Sequence, residues 1–442
     1  MTHRSLLAVT LLVLASLANA TTAVAPRCSA DVVTAWNERV LAIAEAEDHF
    51  LTLKGVRTAA MMHIAMHDAI NSIHRHYSAY TYASQFRPDA DPVSAAAQAA
   101  HVVALAQYPD QRIALDEELH RWLDSAPRNH AKRKAIELGT LAAQAILVKR
   151  EKDGWNKEVE YQWGPTRPGV YAEFRDHSGT PQGFVFGVGW ATAKPFALRA
   201  PQQFRVGPPP RTDSSEYAQA YQEVLEDGRY DSTSRTNDQT HMALWWKDFA
   251  ESSHNRLARQ LIAANGADLW TVARLFALLN MSIFDGYIAS FDSKFFYNHW
   301  RPYTAIRAAH HDDNPRTQPE PTWNNLHQHT YAFPSYPSAH GTVCAAGMAV
   351  LADTFGNHYE FTMETREVDS AGPLSPRIRM DPPTRSFANF SSAAMECAIS
   401  RIYLGIHFRY DSVVGNQLGR QVGAYAIENY LRAVGPRSED IH

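Results

Sequence analysis

Three short stretches of the chain carry side chains suited to handling an anion. Lys294 and Arg301 lie seven residues apart in KFFYNHWRP. Ser338 and His340 lie two apart in YPSAH. Ser400, Arg401, His407 and Asp411 share SRIYLGIHFRYD. Two guanidinium forks match the oxygens of an oxyanion in pairs, and an ammonium adds a compact point charge. Seven residues is two helical turns, so Lys294 and Arg301 are expected on one side of one helix. A turn at Gly405 would bring Arg401 and His407 to one pocket. Ser338 follows a proline at an expected helix start. There its hydroxyl, the next backbone N–H groups and the helix dipole all favour an anion. Asp411 comes one turn after His407 and can hold that ring in one tautomer. An imidazole oriented in this way suits a nucleophile or a metal ligand, which makes His407 the metal-ligating candidate. His340 has no carboxylate near it in sequence and suits general acid–base work.

Each residue alone has an ordinary explanation. Lys294 reads as a solvated charge, Arg301 as a helix-end cation, Ser338 as a cap and His407 as a core histidine. Together, however, the set points to one anion pocket. Two further features stand outside it. Asp285 could orient one of the arginines or be a solvated carboxylate. His63, His67 and Asp68 in MMHIAMHDAI have the i, i+4 spacing of metal ligands, but no third ligand is suggested, and helix packing is the simpler reading.

The elements that must position these residues are mostly helices. Apolar residues recur every three to four positions over 30–47, 55–73, 93–108, 111–124 and 129–152, and again over 214–226, 235–251, 254–265, 268–290 and 295–309. Further helices are expected over 338–355, 387–405 and 410–433. HYEFTMETREV alternates and reads as a strand, pairing near 377–381. Residues 155–212 are rich in Gly, Pro and aromatics and show no period. So long a stretch is expected to drape over the helices and line an entrance. The fold class is therefore mainly α, a multi-helix bundle with a minor β-hairpin.

The chain has 442 residues, 45% hydrophobic and 20% charged, with a formal net charge of −4. That is ample for a large core, and it argues against a nucleic-acid coat, which is normally basic. MTHR, then SLLAVTLLVLASL, then ANA at 18–20 read as an export signal over 1–20. Two regions follow: a helical N-terminal one with the long loop over 21–212, and the chemistry-bearing one over 213–442, packed as one unit. Beyond the signal there is no run of eighteen apolar residues, so no membrane span is expected in the mature chain. It should be exported, to a periplasm or beyond the cell. Cys28, Cys344 and Cys397 have no zinc spacing. The last two sit in apolar helical surroundings and read as buried thiols, although one disulfide is compatible with the count.

The longer strings FYNHWRPYTAIR, FPSYPSAHGT and SRIYLGIHFRYD resemble the superfamily that joins vanadium-dependent haloperoxidases with type 2 phosphatidic acid phosphatases and bacterial acid phosphatases. The likeness is strongest over 235–430 and closest to the bacterial haloperoxidase branch. It implies an α-helical bundle around a vanadate pocket that phosphate can also fill. Carried over, Lys294, Arg301 and Arg401 would hold equatorial oxygens, and Ser338 and the Ala339 N–H would add hydrogen bonds. His340 would be the acid–base residue. His407 would be the axial vanadium ligand or, in a phosphatase, the phosphorylated nucleophile. Ala339 departs from the family's glycine. Its amide keeps its place only if φ stays negative.

Three functions remain open at this point. One is an exported vanadate-dependent haloperoxidase that oxidises halide with hydrogen peroxide to hypohalous acid. Another is an acid phosphatase that hydrolyses a phosphomonoester through phosphohistidine at the same pocket. The third is a non-catalytic helical protein that binds phosphate or vanadate. A homodimer is expected by family analogy alone.

Overall fold

A computed structural model describes residues 29–83, 87–126, 129–372 and 375–435. The expected signal and Cys28 lie outside them. The helices run α1 Asp31–Asp48, α2 Lys54–Asn71, α3 Pro92–Gln107, α4 Arg112–Asp124, α5 His130–Arg150, the single turn α6 Arg175–Ser178, α7 Ser215–Asp227, α8 Asn237–Trp245, α9 Ala250–Asn265, α10 Leu269–Tyr297, α11 Pro302–Arg307, α12 Ala339–Phe355, α13 Phe390–Tyr403 and α14 Arg409–Asn429. Their starts follow from local chemistry. The Asp91 side chain accepts from the Ser94 N–H ahead of Pro92, Thr236 and Gln239 form a capping box on α8, and Asp268 caps α10.

The centre is α10, 29 residues long and about 44 Å by helix rise. It is apolar enough, by length and composition, to cross a membrane, which the absence of an eighteen-residue apolar run did not lead one to expect. However, its most apolar window is 94% buried within the protein, as the core helix of a bundle would be. One apolar cluster runs from Val32 on α1 through α10 to Leu431, so the N-terminal and C-terminal helices share a core.

The long loop is pinned to that core by a buried charge. Asp285, on α10, accepts the backbone N–H groups of Phe196, Ala197 and Leu198 at 2.6, 2.7 and 2.8 Å. It neither orients a site arginine nor meets solvent, which corrects both sequence expectations. Its residue type is explained by three amides on a segment with no secondary structure of its own to absorb them. Arg150 holds the same segment through the Pro195 carbonyl at 2.8 Å.

The strand reading needs refining. β1 Phe361–Glu364 pairs antiparallel with β4 Thr384–Phe387, and β2 Glu367–Asp369 pairs with β3 Arg377–Arg379. The stretch expected to form one strand thus breaks into two, and each half finds its own partner. The i, i+4 histidines do not share a ligand. His63 Nε2 meets the Asn37 amide at 3.0 Å, while His67 Nδ1 meets Asp68, whose carboxylate also caps the amides of Tyr80, Thr81 and Tyr82.

Cys344 on α12 and Cys397 on α13 form a disulfide, so they are not two thiols. The helical context concealed this, because the two residues meet only through the packing of separate helices. The bridge closes a loop with a sequence separation of 53, worth about 4 kcal/mol of lost unfolded-chain entropy. Unfolding in denaturant with and without a phosphine reductant should differ by roughly that amount. Equal midpoints would show the bridge to be energetically idle.

Burial also sets a pH dependence. Burial pushes His63 and His299 down to about 3 and His177, His254 and His329 to about 4, and it takes His327 well below its usual range. The unfolded chain binds protons near pH 6.5 that these folded rings refuse, so their contribution is lost as pH falls below that value. Glu251, raised to about 7, and Asp285, raised to about 6, act in the opposite sense, also through burial. His340 and His407 are lowered in the same way and Asp411 is raised to about 6, so eight histidines outweigh three carboxylates. Denaturant titrations should therefore show stability falling from pH 7 to pH 5, on the order of a few kcal/mol. A flat profile would contradict the burial of these rings.

Candidate active site

Four chain segments meet at one end of α10. Lys294 is fully buried in the last turn of that helix, which stops at Asn298 in a left-handed conformation, φ 52°. Arg301 therefore lies outside α10, in extended backbone, as the N-cap of α11. The expectation that one helix carries both cations fails. They converge because the chain reverses between them, and both reach the segment 333–335. Lys294 Nζ donates to the carbonyls of Pro334 and Ser335 at 3.0 and 2.6 Å. Arg301 Nε donates to Phe333 at 2.8 Å, and its Nη1 to Ile406 at 3.0 Å. The Phe333 ring lies under both, 5.1 Å from Lys294 Nζ and 4.6 Å from the Arg301 guanidinium.

Ser338 is the N-cap of α12, and its hydroxyl accepts from the Gly341 N–H at 3.2 Å. Ala339 opens the helix and is not among the residues with positive φ, so its amide keeps the direction the glycine pattern would give it. What fixes this helix start is a stripe of glycines on α14. A Cβ at Gly415 would lie 2.5 Å from the Ser338 carbonyl oxygen, and one at Gly419 would lie 2.0 Å from that of Thr342. Only hydrogen fits there, so α14 can press directly on the backbone of α12. The Ser338 N–H then donates to the Asp411 carbonyl at 2.9 Å.

α13 ends at Tyr403, and Gly405 takes φ 81°, as its position suggested. Gly405 turns the chain so that Arg401 and His407 face one space. His407 Nδ1 lies 2.9 Å from Asp411 Oδ2, and its Nε2 lies 3.2 Å from Arg301 Nη1. Ser335, which sequence reasoning passed over, donates its hydroxyl to the same Asp411 oxygen and lies 3.2 Å from His407 Nδ1. It sits within FPSYPSAHGT, and its only signal was that position. With Nδ1–H committed to Asp411, the lone pair is on Nε2, where it accepts from Arg301 Nη1.

The electrostatics suit an anion. Burial, and then the charge of Arg301, pushes Lys294 well below its usual range. Burial takes Arg301 and Arg401 down to about 10. Burial, then Arg301 and Lys294, keeps His407 neutral, and burial with Arg401 does the same for His340. Asp411, pushed up to about 6 by burial, is a poor counterweight to three cations. Several polar atoms here are buried with no partner among the described residues: Arg301 Nη2, Arg401 Nε, His340 Nε2 and Asp411 Oδ1. Orphaned donors on two guanidiniums, with an imidazole between helix and cavity, fit a tetrahedral oxyanion such as vanadate or phosphate. All seven predicted side chains are thus brought together with the Ala339 amide.

Above the cluster opens a cavity of about 480 Å³ that reaches Ala339, His340, Arg401 and His407. The long loop supplies Ser178, Thr180, Phe184, Phe186 and Trp190 to its wall, so that loop does line an entrance. The disulfide lies behind His340, whose ring nitrogen comes within 4.8 Å of both sulfurs. Cys344 is one turn after His340, and Cys397 is one turn before Arg401.

Residues 274–436, which hold every site residue, match the family described as VCPO second helical-bundle domain. A vanadium chloroperoxidase of Curvularia inaequalis is 26% identical over 314 residues, covering 57% of this chain, and the match spans only half the length of that relative. The crystal structure of a bacterial vanadium-dependent iodoperoxidase superposes with a TM-score of 0.72 at 22% identity, over 93% of this chain and 99% of the other. A bacterial vanadium-dependent chloroperoxidase in its holo form gives 0.64 at 17%, over 84% and 90%. At such identities these two structures establish the fold alone. The family match thus falls on the segment that carries the whole cation and histidine cluster.

Proposed function

We propose that this chain is a vanadate-dependent haloperoxidase, oxidising halide with hydrogen peroxide to hypohalous acid. The observation that carries the proposal is His407. Its Nε2 is aimed into a buried pocket, its other nitrogen is held by Asp411, and unpartnered guanidinium N–H groups surround it. Vanadate bound there supplies the electrophilic activation of hydrogen peroxide toward halide. Lys294, Arg301 and Arg401 hold the anion and offset its charge, and the Ser338 hydroxyl and Ala339 amide add hydrogen bonds at the helix start. Asp411 and Ser335 keep the His407 tautomer that leaves the lone pair on Nε2, beside Arg301 Nη1. His340 Nε2, buried and unpaired, would serve as the acid–base group that exchanges protons with peroxide.

The test is direct. The purified protein, loaded with orthovanadate, is offered peroxide with iodide, bromide or chloride, and triiodide or a brominated phenolic dye is followed. The unloaded protein is offered p-nitrophenyl phosphate. Halide turnover supports the proposal. Phosphate-ester hydrolysis without halide turnover makes the chain a phosphatase acting through His407. Silence in both assays, with phosphate bound, makes it a binding protein. Export is the companion proposal. It rests on the signal-like first twenty residues, and a core disulfide is at home in an oxidising compartment.

A further inference from the structure

The bridge between Cys344 and Cys397 lies directly behind two groups of the anion pocket. His340 and Cys344 are four residues apart on α12, and Cys397 and Arg401 are four apart on α13. On each helix, one turn carries a sulfur and an adjacent turn carries a pocket side chain. The Cα atoms of the two cysteines are 6.6 Å apart, and a ring nitrogen of His340 lies within 4.8 Å of both sulfurs. Both cysteines are fully buried, while His340 reaches the cavity, so the group is approached from the His340 side.

An imidazole and two sulfurs this close are a metal-ligand set once the sulfurs are free. A tetrahedral zinc-class ion holds two thiolates about 3.8 Å apart, and a thiolate and an imidazole nitrogen about 3.6 Å apart, given its bond lengths. The three ligand atoms reach those separations by shifts on the order of 1 Å. Charge also fits. Two thiolates neutralise a divalent cation, so a filled site adds no net charge beside Arg401, and that guanidinium favours the thiolate form. Thiolates with imidazole select soft and borderline cations such as zinc over hard ones. Three protein ligands leave a fourth position for water from the cavity.

We infer that His340, Cys344 and Cys397 form a zinc-class metal site whenever the bridge is open. A dithiol reductant opens it. Two electrons and two protons pass to the bridge, its S–S bond breaks, and the reductant closes a disulfide of its own. One zinc ion then binds, and the two thiol protons leave. The ion holds the His340 ring by a nitrogen and withdraws it from proton exchange. The bridge, by occupying both sulfurs, keeps that ring free. The site itself does not depend on the haloperoxidase reading; only its effect on turnover rests on it.

Cys28→Ser leaves Cys344 and Cys397 as the only cysteines of the chain. That full chain, free of vanadate, is reduced with a phosphine, separated from it under nitrogen and titrated with cobalt(II), whose thiolate charge-transfer and tetrahedral d–d bands report the ligands. One cobalt per chain is expected, displaced by zinc, with none bound by the bridged protein. His340→Ala should weaken binding by about 100-fold or more, beyond the usual cost of losing a merely supporting partner. Circular dichroism follows the fold of the reduced chain, and zinc should raise its thermal midpoint but not that of the bridged protein. Absence of a thiolate band, equal affinity in His340→Ala, or a reduced chain that zinc neither binds nor stabilises would overturn the inference. In the vanadate-loaded protein, zinc should slow initial bromination about tenfold or more when the bridge is open and leave the bridged protein unchanged. Turnover indifferent to bound zinc would place the ion away from the His340 ring and overturn the assignment. A cobalt site with these properties in a protein that oxidises no halide would support the metal site and sink the haloperoxidase reading.

Discussion

His340→Ala should lower turnover by about 10²–10⁴-fold, the span of a lost general acid–base, while the protein keeps its hold on an oxyanion. The ring sits in the first turn of α12 with Nε2 buried and unpaired, and among the described residues no hydrogen bond joins it to Lys294, Arg301 or His407. Lys294, Arg301 and His407 are anchored instead by the carbonyls of 333–335 and 406 and by Asp411. In the anion-free protein burial and Arg401 keep the ring neutral. An anion brought beside it adds negative charge and raises its proton affinity, which poises the ring to exchange protons only when the site is filled. Steady-state bromination and calorimetric binding of orthovanadate, done side by side, separate the two effects. His407→Ala serves as the contrast and should lose both. If His340→Ala kept turnover within about threefold of the wild type, well short of an acid–base effect, the proton role would belong to another group.

Much of this site could be read from residue types and spacing, because its logic is partly local. Ser338 caps a helix because it follows proline and precedes small helix formers. Asp411 meets His407 because one helical turn separates them. Gly405 turns the chain because little else tolerates φ 81°. What was misread was tertiary. The seven-residue spacing of Lys294 and Arg301 suggested one helix face, yet a left-handed Asn298 ends the helix between them. Asp285 offered no local hint that three loop amides nearly ninety positions earlier would need its carboxylate. Cys344 and Cys397 read as apolar helical residues since their bonding depends on how two helices meet. The stripe Gly415, Gly419, Gly423 was a legible signal that went unused. Small residues every four positions mark a helix face that another backbone must approach.

That close packing explains why the strongest binding effect is expected at a residue which does little for the empty protein. Arg301→Ala should weaken phosphate or orthovanadate binding by roughly 30- to 5,000-fold, the 2–5 kcal/mol span for truncating one partner of a buried charge pair. Its Nε and Nη1 are spent on the Phe333 and Ile406 carbonyls, which hold the guanidinium plane so that the orphaned Nη2 is the free donor. Without an anion that geometry sets three cationic groups close together in a buried space, and their mutual repulsion is part of what depresses Lys294. Removing one charge relieves that repulsion and offsets the two lost carbonyl bonds, so the anion-free variant should unfold close to the wild-type midpoint. Arg301→Lys should not restore binding, because an ammonium cannot satisfy two carbonyls and also present a planar N–H to the pocket. Thermal unfolding reads both halves at once. The wild type should gain about 2.7 kcal/mol at an anion concentration one hundred times its dissociation constant, and the variant should gain about 0.9 kcal/mol or less at that same concentration. A variant that lost its fold without anion, or was stabilised by phosphate as fully as the wild type, would mean Arg301 braces the loop at 333–335 and leaves the anion to others.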